Sequence, residues 1–382
     1  MFFPYSRQSI NSSDIKNVSK VLKSDYLTTG PKIEEFEKKI NLFCGSKYSL
    51  VVNSATSALH LGCLSLGLKR NDLVWTSPVS FVATSNCALY CGAKIDFVDI
   101  DLDTFNISLR LLEIKLKKSK KKPKIVIPVH LAGHPCDMEY ILYLKKKYGF
   151  FVMEDASHAI GATYKKSRIG DCKYSDLCVF SFHPVKIITT GEGGCLLSNN
   201  YSIISKANEL RSHGILKEKL TYKNKNNTKK PWYYQQNSLG FNYRMTDIQA
   251  ALGISQLKRI KSFIRKRNLI AAHYEKNLLG LPIKFQKLID KSVSARHLFI
   301  IRVPKKVHLR LFNYLKNNNV NVNLHYIPIY LHPYYKKFNF NRKLFLNSQE
   351  YYNSAISLPN YYDLSLVHQN KIIKIIKNFF QK

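Results

Sequence analysis

The positions of apolar residues along the chain predict strands that alternate with helices. Residues 32–43 repeat apolar side chains at helical spacing, with charged residues on the opposite face. The next segment is typical of a strand that ends near Asn53 and a helix that begins near Thr56. Short runs rich in Val, Ile and Phe follow, with helical stretches such as 137–148 between some of them: "LVWTS", "KIDFVDID", "KIVIPVHLAG", "FFVMEDAS", "DLCVFSF" and "GGCLLS". This alternation predicts an α/β fold with a mainly parallel sheet.

The length of the chain favours two domains. Its 382 residues exceed what one small domain needs. Residues 247–267 are typical of one long helix, apolar early and basic late, which we expect to join the domains. We predict a large domain over residues 1–250 and a smaller C-terminal α/β domain over residues 251–382. Residues 217–230 are polar and predict a mobile loop.

Composition and charge limit the function classes without choosing among them. Hydrophobic residues make up 45% of the chain, which argues against disorder throughout. Sixty basic residues against 25 acidic ones give a formal net charge of +35, concentrated in the second half. Such an excess is compatible with a nucleic acid, an anionic membrane or a small anionic substrate as partner. A general enrichment of the chain in Lys, Ile and Asn explains the positive charge equally well.

Cysteine and targeting patterns indicate a cytoplasmic protein. The eight cysteines lie mostly in apolar stretches and form no C-x-x-C pair, so we expect buried reduced thiols. The first residues lack the charged and apolar regions of a signal peptide, and no apolar run approaches the ~20 residues of a membrane span. We therefore expect no membrane attachment. The histidines show no metal-ligand spacing, and we predict no metal site.

Three features at predicted strand ends carry candidate chemistry. Lys186 is the only lysine or arginine in the stretch between two apolar strands, where a lysine loses its proton more easily and can form a Schiff base. Asp155 ends a strand in an apolar setting and needs a cationic or hydrogen-bonding partner. Small residues in "NSATSAL" precede a helix whose free N–H groups favour an anion. Taken singly, each also fits an ordinary surface lysine, a turn aspartate or an N-cap.

Together these features suit a Schiff-base lysine, a partner for a pyridinium nitrogen and a phosphate seat. In this order the chain resembles the sugar aminotransferases of the DegT/DnrJ/EryC1/StrS group. The resemblance spans nearly the whole chain, through motifs that include "LTTGPKIEEFEKKI", "SPVSFVATSNCALYCGAKIDFVDID", "EDASHAIGATY", "SFHPVKIITTGEGG" and "LGFNYRMTDIQAALGISQL". It implies fold type I, the aspartate aminotransferase-like architecture, and pyridoxal 5'-phosphate (PLP) as the cofactor.

The resemblance assigns roles around the cofactor ring. Lys186 matches the lysine that forms the Schiff base with PLP and then moves the proton between cofactor and sugar carbon. Asp155 matches the acid that keeps the pyridine nitrogen protonated. His158 matches the Gln-or-His position near the ring 3-oxygen, and Phe81 matches the aromatic residue stacked on the ring.

The resemblance also assigns the phosphate contacts. Ala55, Thr56 and Ser181 match these contacts, Ala55 through its backbone N–H. The family more often has Gly at the position of Ala55, so this chain leaves less room beside the phosphate. Asn242 matches an asparagine that reaches the phosphate from the neighbouring subunit, which implies a homodimer with shared active sites.

Five residues are candidates for substrate contact by the same resemblance, and His213 is a weaker candidate of the same kind. The five are His325, Tyr326, Thr28, Thr29 and His183. Packing roles remain open for each of them.

The presence of Lys186, where some relatives carry His and act as dehydratases, favours transamination. Its surroundings most resemble the transaminases of pseudaminic acid synthesis. That resemblance implies amination at C4 of a UDP-linked 2-acetamido-2,6-dideoxy-4-ketohexose, with L-glutamate as donor and 2-oxoglutarate as product. Perosamine-type and legionaminic-type 4-aminotransferases remain alternatives, as does a non-catalytic relative that binds a sugar or nucleic acid. The complete set of catalytic residues argues against nucleic acid as the partner.

Overall fold

The computed structural model describes residues 2–216 and 230–381, so the predicted mobile loop lies outside the described residues except for Lys230. The helices in these ranges are α1 (Ser12–Leu22), α2 (Pro31–Cys44), α3 (Ala55–Ser65), α4 (Ala83–Tyr90), α5 (Leu109–Lys118), α6 (Met138–Tyr148), α7 (Tyr201–Arg211), α8 (Asp247–Lys258), α9 (Ile260–Leu278), α10 (Lys305–Asn317), α11 (Leu346–Tyr352) and α12 (Leu366–Gln381). The strands are β1 (Tyr48–Val52), β2 (Leu73–Thr76), β3 (Lys94–Phe97), β4 (Ile125–Ile127), β5 (Phe151–Asp155), β6 (Thr163–Tyr164), β7 (Ser167–Arg168), β8 (Leu177–Ser181), β9 (Gly194–Ser198), β10 (Ile215–Leu216), β11 (Gln235–Gln236), β12 (Lys284–Phe285), β13 (Ser292–Val293), β14 (Phe299–Arg302) and β15 (Ala355–Leu358).

A seven-stranded sheet organises the first part of the chain. Its strand order is β1-β9-β8-β5-β4-β2-β3, and only β9 runs antiparallel to its neighbours. The predicted mainly parallel sheet is confirmed. Because β5 and β8 are parallel neighbours, their carboxyl ends bring Asp155 and Ser181 to one edge of the sheet.

Helices cover both faces of this sheet, which explains why its strands are apolar throughout. Phe36 of α2 and Ile141 of α6 are fully buried in the core on one face. Leu59 of α3 and Ala207 of α7 are buried in the core on the other face. Strands buried on both faces have no need of alternating polar residues. The continuous apolar runs in the sequence therefore correspond to central strands.

A smaller antiparallel sheet forms in the C-terminal part. Its strand order is β12-β14-β15, and residues of α9, α10 and α12 complete its core, among them Tyr274, Leu311 and Ile376. Ile254 of α8 packs in the core of the large sheet rather than here. The domain boundary at residue 250 stays a prediction.

The single long helix predicted over residues 247–267 is wrong. Two helices, α8 and α9, meet at Arg259. The Arg259 guanidinium pairs with the Asp14 carboxylate and donates to the Ser9 carbonyl. These contacts join segments about 250 residues apart in sequence, so helical periodicity alone does not reveal the break. No helix among the described residues is both long and apolar enough to cross a membrane.

Candidate active site

A cavity of about 520 Å³ opens at the edge of the large sheet where Asp155 and Ser181 lie, and residues of the C-terminal part also line it. Ten of the predicted site residues line it: Ala55, Thr56, Phe81, Asp155, His158, Ser181, His183, Lys186, His325 and Tyr326. Its size suits a small cofactor together with part of a substrate.

Asp155 is held at the cavity by two hydroxyl groups. Its Oδ2 accepts a 2.6 Å hydrogen bond from Thr84 Oγ1, and its Oδ1 accepts a 2.6 Å bond from Ser157 Oγ. Ser80 Oγ lies 2.7 Å from Thr84 Oγ1 and extends the network. A buried carboxylate with fixed donors is rigid and negatively charged, which is what a protonated ring nitrogen requires.

Lys186 follows the turn after β8 and faces the same cavity. Its backbone N–H donates to the His183 carbonyl at 2.9 Å, which fixes the turn. Its Nζ makes no hydrogen bond or ion pair with any described residue. Burial lowers the pKa of Lys186 to about 8, while the Asp155 carboxylate opposes that shift. The lowered pKa gives Lys186 a larger neutral fraction near physiological pH than an ordinary lysine has, and the neutral amine is the form that attacks a carbonyl.

His158 is a neutral hydrogen-bond donor. Burial, with the charge of Lys186 and the neighbouring His325, lowers the pKa of His158 well below its usual range. Its Nδ1 accepts from the Ala132 N–H at 3.3 Å, so in the neutral ring the proton is on Nε2. That Nε2 lies 3.1 Å from the Tyr326 hydroxyl. His158 can therefore donate to an oxygen at this place in the cavity.

The N-terminus of α3 forms an anion seat. Ser54 caps the helix by accepting from Ser57 N–H, so the N–H groups of Ala55 and Thr56 remain free at the cavity. A Cβ at Gly194 would lie 2.5 Å from the Ala55 nitrogen. Glycine there lets the helix end approach β9 beside Ser181, its neighbour in register. Free amides, the helix dipole and a hydroxyl together suit a phosphate.

Phe81 presents an aromatic face to the cavity. Its side chain is 58% exposed although it lines an apolar wall. The ring centroid lies 6.1 Å from that of Tyr326, at 54°. An uncovered ring at this position can stack on a planar heterocycle.

Three predicted residues do not reach this cavity within the chain. Thr28 bridges Thr246, and Thr29 lines a separate cavity of about 230 Å³ beside Arg244. Asn242 is exposed and bridges Ser212. The exposure of Asn242 suits its predicted contribution to a neighbouring subunit, which stays a prediction. His213, the weaker candidate, is also exposed and lies near Asn242, since its N–H donates to the Phe241 carbonyl.

Residues that sequence reasoning missed also line the cavity, among them Tyr5, Thr84, Ser157 and His297. Ser157 carries a local signal, because a serine two residues after an aspartate often donates to it. Thr84 carries none, since it is 71 residues from Asp155 in sequence.

The arrangement fits PLP. Asp155 would hold the ring nitrogen, Phe81 would cover one ring face, and the α3 N-terminus with Ser181 would bind the phosphate. Lys186 would provide the amine. Among the described residues no group of three or more His, Cys, Asp or Glu could hold a metal. Fold and site together define a PLP-dependent enzyme of fold type I.

Comparisons with known proteins place the chain in a family. The model of the DegT/DnrJ/EryC1/StrS aminotransferase family matches residues 8–377. The UDP-4-amino-4,6-dideoxy-N-acetyl-beta-L-altrosamine transaminase of Campylobacter jejuni is 40% identical over 366 residues, which cover 95% of this chain and 93% of that protein. The chain therefore belongs to the DegT/DnrJ/EryC1/StrS aminotransferase family.

Solved structures agree with this assignment. Helicobacter pylori PseC, an aminotransferase involved in the biosynthesis of pseudoaminic acid, matches with a TM-score of 0.90 and 32% identity, covering 100% of both chains. The PLP-form of Spr1654 from Streptococcus pneumoniae matches with a TM-score of 0.90 and 28% identity, covering 100% of this chain and 99% of that one. The predicted family and fold type I architecture are confirmed.

Proposed function

We propose that this protein is a PLP-dependent aminotransferase that transfers an amino group to C4 of a UDP-linked 2-acetamido-2,6-dideoxy-4-ketohexose. One observation carries the proposal. The amine of Lys186 is unpaired among the described residues, has a lowered pKa and faces the same cavity as the Asp155 carboxylate. The 40% identity to the Campylobacter jejuni transaminase supports the choice of sugar.

Each residue has a defined task in this reaction. When bound, PLP supplies a carbonyl that reacts with amines and a ring that withdraws electrons. Lys186 would hold that carbonyl through its amine, and the same amine, when free, would move the proton at the substrate carbon. Asp155 keeps a proton on the ring nitrogen through its charge. His158, whose Nδ1 accepts from the Ala132 N–H, would offer its Nε2–H to an oxygen of the cofactor.

The finer details of the proposal concern the partners. We take L-glutamate as the amino donor and 2-oxoglutarate as its product. We place the active form as a homodimer in which Asn242 serves the neighbouring site. The cytoplasmic location expected from the sequence belongs to the same proposal, as does a place in the synthesis of pseudaminic acid or a related surface glycan. Part of the positive charge would guide the anionic nucleotide sugar to the cavity.

A substrate panel tests the function. The PLP-loaded protein is incubated with glutamate and UDP-, GDP- or dTDP-linked 4-ketosugars, and product masses are measured. We expect an amino sugar from the UDP-linked 2-acetamido-2,6-dideoxy-4-ketohexose. If a GDP- or dTDP-linked sugar is aminated in preference to it, the proposed substrate is wrong. If the product is dehydrated instead of aminated, the proposed reaction type is wrong.

Lys186→Ala is the matched control for the panel. It removes the amine and leaves the cavity walls in place. We expect it to lose the absorbance band of the bound cofactor and its sensitivity to borohydride. A wild-type protein that shows no such band when supplied with PLP would refute an enzymatic role.

A further inference from the structure

His297 is a buried cavity residue whose ring has no hydrogen-bond partner in the described part of the chain. It lines the cavity and is 2% exposed. Its Nδ1 is sealed from solvent and unpaired, and its Nε2 has no partner among the described residues either. The rings of the other cavity-lining histidines, His158, His183 and His325, each have a hydrogen-bond partner, which is a backbone N–H for the first two and the Ser357 hydroxyl for His325. An unpaired polar group in a buried native site calls for a partner that comes from outside the chain.

The proton position on His297 follows from its burial. Desolvation lowers the pKa of His297 well below its usual range, and the neighbouring His158 and Lys186 add to the shift. The ring is therefore neutral. Because a sealed N–H without an acceptor is costlier than a sealed lone pair, the hydrogen is on Nε2. Nε2–H is then the donor left for a ligand.

The backbone around His297 is held rigidly. Arg267 donates from Nη1 to the His297 carbonyl at 3.0 Å. Asn360 Nδ2 donates to the Arg296 carbonyl at 2.8 Å. Gly133, at φ +91°, comes so close that a Cβ there would lie 3.1 Å from the backbone nitrogen of His297. The ring centroid is fixed 4.4 Å from that of His158.

The surroundings of His297 have an excess of positive charge. Arg267 is 2% exposed and pairs with no carboxylate among the described residues. Among the residues that the structure describes, its guanidinium donates only to the main-chain carbonyls of His297 and Asn360. Desolvation lowers the pKa of Arg267 to about 10, so the group stays charged near neutral pH. Buried cations are normally paired, and this one therefore favours an anion nearby.

We propose that His297 binds the carboxylate of the amino donor next to the reacting carbon. The inference rests on the proposed transaminase function. In an α-amino acid the carboxylate is bonded to the carbon that carries the amine, so it must enter beside Lys186. In the nucleotide sugar the charge is on the diphosphate, several bonds from C4, and only neutral groups surround the reacting carbon. Of the two substrates, only the donor brings an anion to His297.

Carboxylate binding without turnover tests this role. Binding of glutarate to the PLP-loaded protein is measured by calorimetry for the wild type, His297→Leu and His297→Gln, with UDP binding as the parallel readout. We expect His297→Leu to weaken glutarate binding about tenfold or more, since hydrogen bonds to charged groups are the strong ones. His297→Gln keeps a donor and should recover most of the loss. UDP affinity should stay within about twofold in both.

A second measurement covers the case in which His297→Leu fails to fold. In the wild-type protein labelled with ¹⁵N-histidine, glutarate should shift one imidazole signal, which is assigned by its absence in His297→Gln. Unchanged glutarate affinity in a folded His297→Leu variant, or equal weakening of glutarate and UDP, would overturn the inference. A wild type that binds UDP but no glutarate would overturn it as well. If no ketosugar is aminated while glutarate binding depends on His297, the sugar assignment fails and this inference stands.

Discussion

Thr84 Oγ1 donates a 2.6 Å hydrogen bond to Asp155 Oδ2, although the two residues are 71 positions apart. Thr84 lies in the first turn of α4 and Asp155 at the end of β5. Both side chains are buried. The bond fixes the orientation of the carboxylate toward the cavity. The proposed partner of the ring nitrogen is therefore positioned by a helix that is distant from it in the sequence.

Removing this bond should weaken both the fold and the cofactor site. Thr84→Val keeps the shape and deletes the hydroxyl, and we expect the free energy of unfolding of the apoprotein to fall by about 1–3 kcal/mol because a buried carboxylate loses a donor. PLP affinity should fall as well. Thr84→Ser retains the hydroxyl and is the control. Denaturant melts and PLP titrations measure both quantities, and equal behaviour of the Val and Ser variants would contradict the role.

The titration of Lys186 should depend on Asp155. Burial brings the pKa of Lys186 to about 8, and the Asp155 carboxylate holds it from falling further. Asp155→Asn removes the negative charge, so the pKa of Lys186 should drop below 8 and the neutral amine should persist to lower pH. The reaction of the apoprotein with a small aldehyde, trapped by borohydride and located by peptide mass, gives the pH midpoint. An upward shift of the pH midpoint in Asp155→Asn would contradict the predicted direction of the change in the Lys186 pKa.

Gly194 should be essential for the phosphate seat. In Gly194→Ala the new Cβ would lie 2.5 Å from the Ala55 nitrogen, so the N-terminus of α3 must move away from Ser181. We expect PLP affinity to fall about tenfold or more through loss of one or two charge-assisted hydrogen bonds. Ala55→Gly removes a methyl group and keeps the N–H, so its PLP affinity should match or exceed the wild type. Fluorescence titration of the apoproteins with PLP distinguishes the two variants.

Asn242 provides a test of shared active sites. Lys186→Ala and Asn242→Ala should each be nearly inactive alone. If Asn242 serves the neighbouring site, a mixed dimer contains one site with both residues intact. Mixing the two variants after mild dissociation should then restore about a quarter of wild-type activity. No recovery in demonstrated mixed dimers would place Asn242 in its own subunit's chemistry or in none.

The family motifs predicted most of the residues that line the cavity, and the apolar patterns placed several of these motifs at the ends of strands and helices. Helix α2 was expected over residues 32–43 and spans Pro31–Cys44. The strand before Asn53 and the helix after it were likewise foreseen. Ten predicted site residues then meet in one cavity. The match holds because apolar periodicity determines where strands and helices end, and parallel strands end at one edge.

Contacts between distant segments could not be predicted from the sequence, because local patterns carry no information about them. The break at Arg259 depends on Asp14, and local periodicity contains no trace of that pair. Thr84 became a partner of Asp155 only because the fold brings the first turn of α4 to the carboxyl end of β5. Nothing in the local sequence distinguishes His297 from the other histidines among the twelve in the chain.

The sequence by itself determined the family and the parallel sheet, because both rest on short segments with their own motifs and periodicity, and through the family motifs it singled out Lys186 and Asp155 as candidates. Only the tertiary structure decided which groups surround that pair. It left the Lys186 amine unpaired, made His158 a neutral donor and sealed His297 without a partner. Desolvation and hydrogen bonding depend on what lies across the cavity, and residues far apart in the chain supply those neighbours.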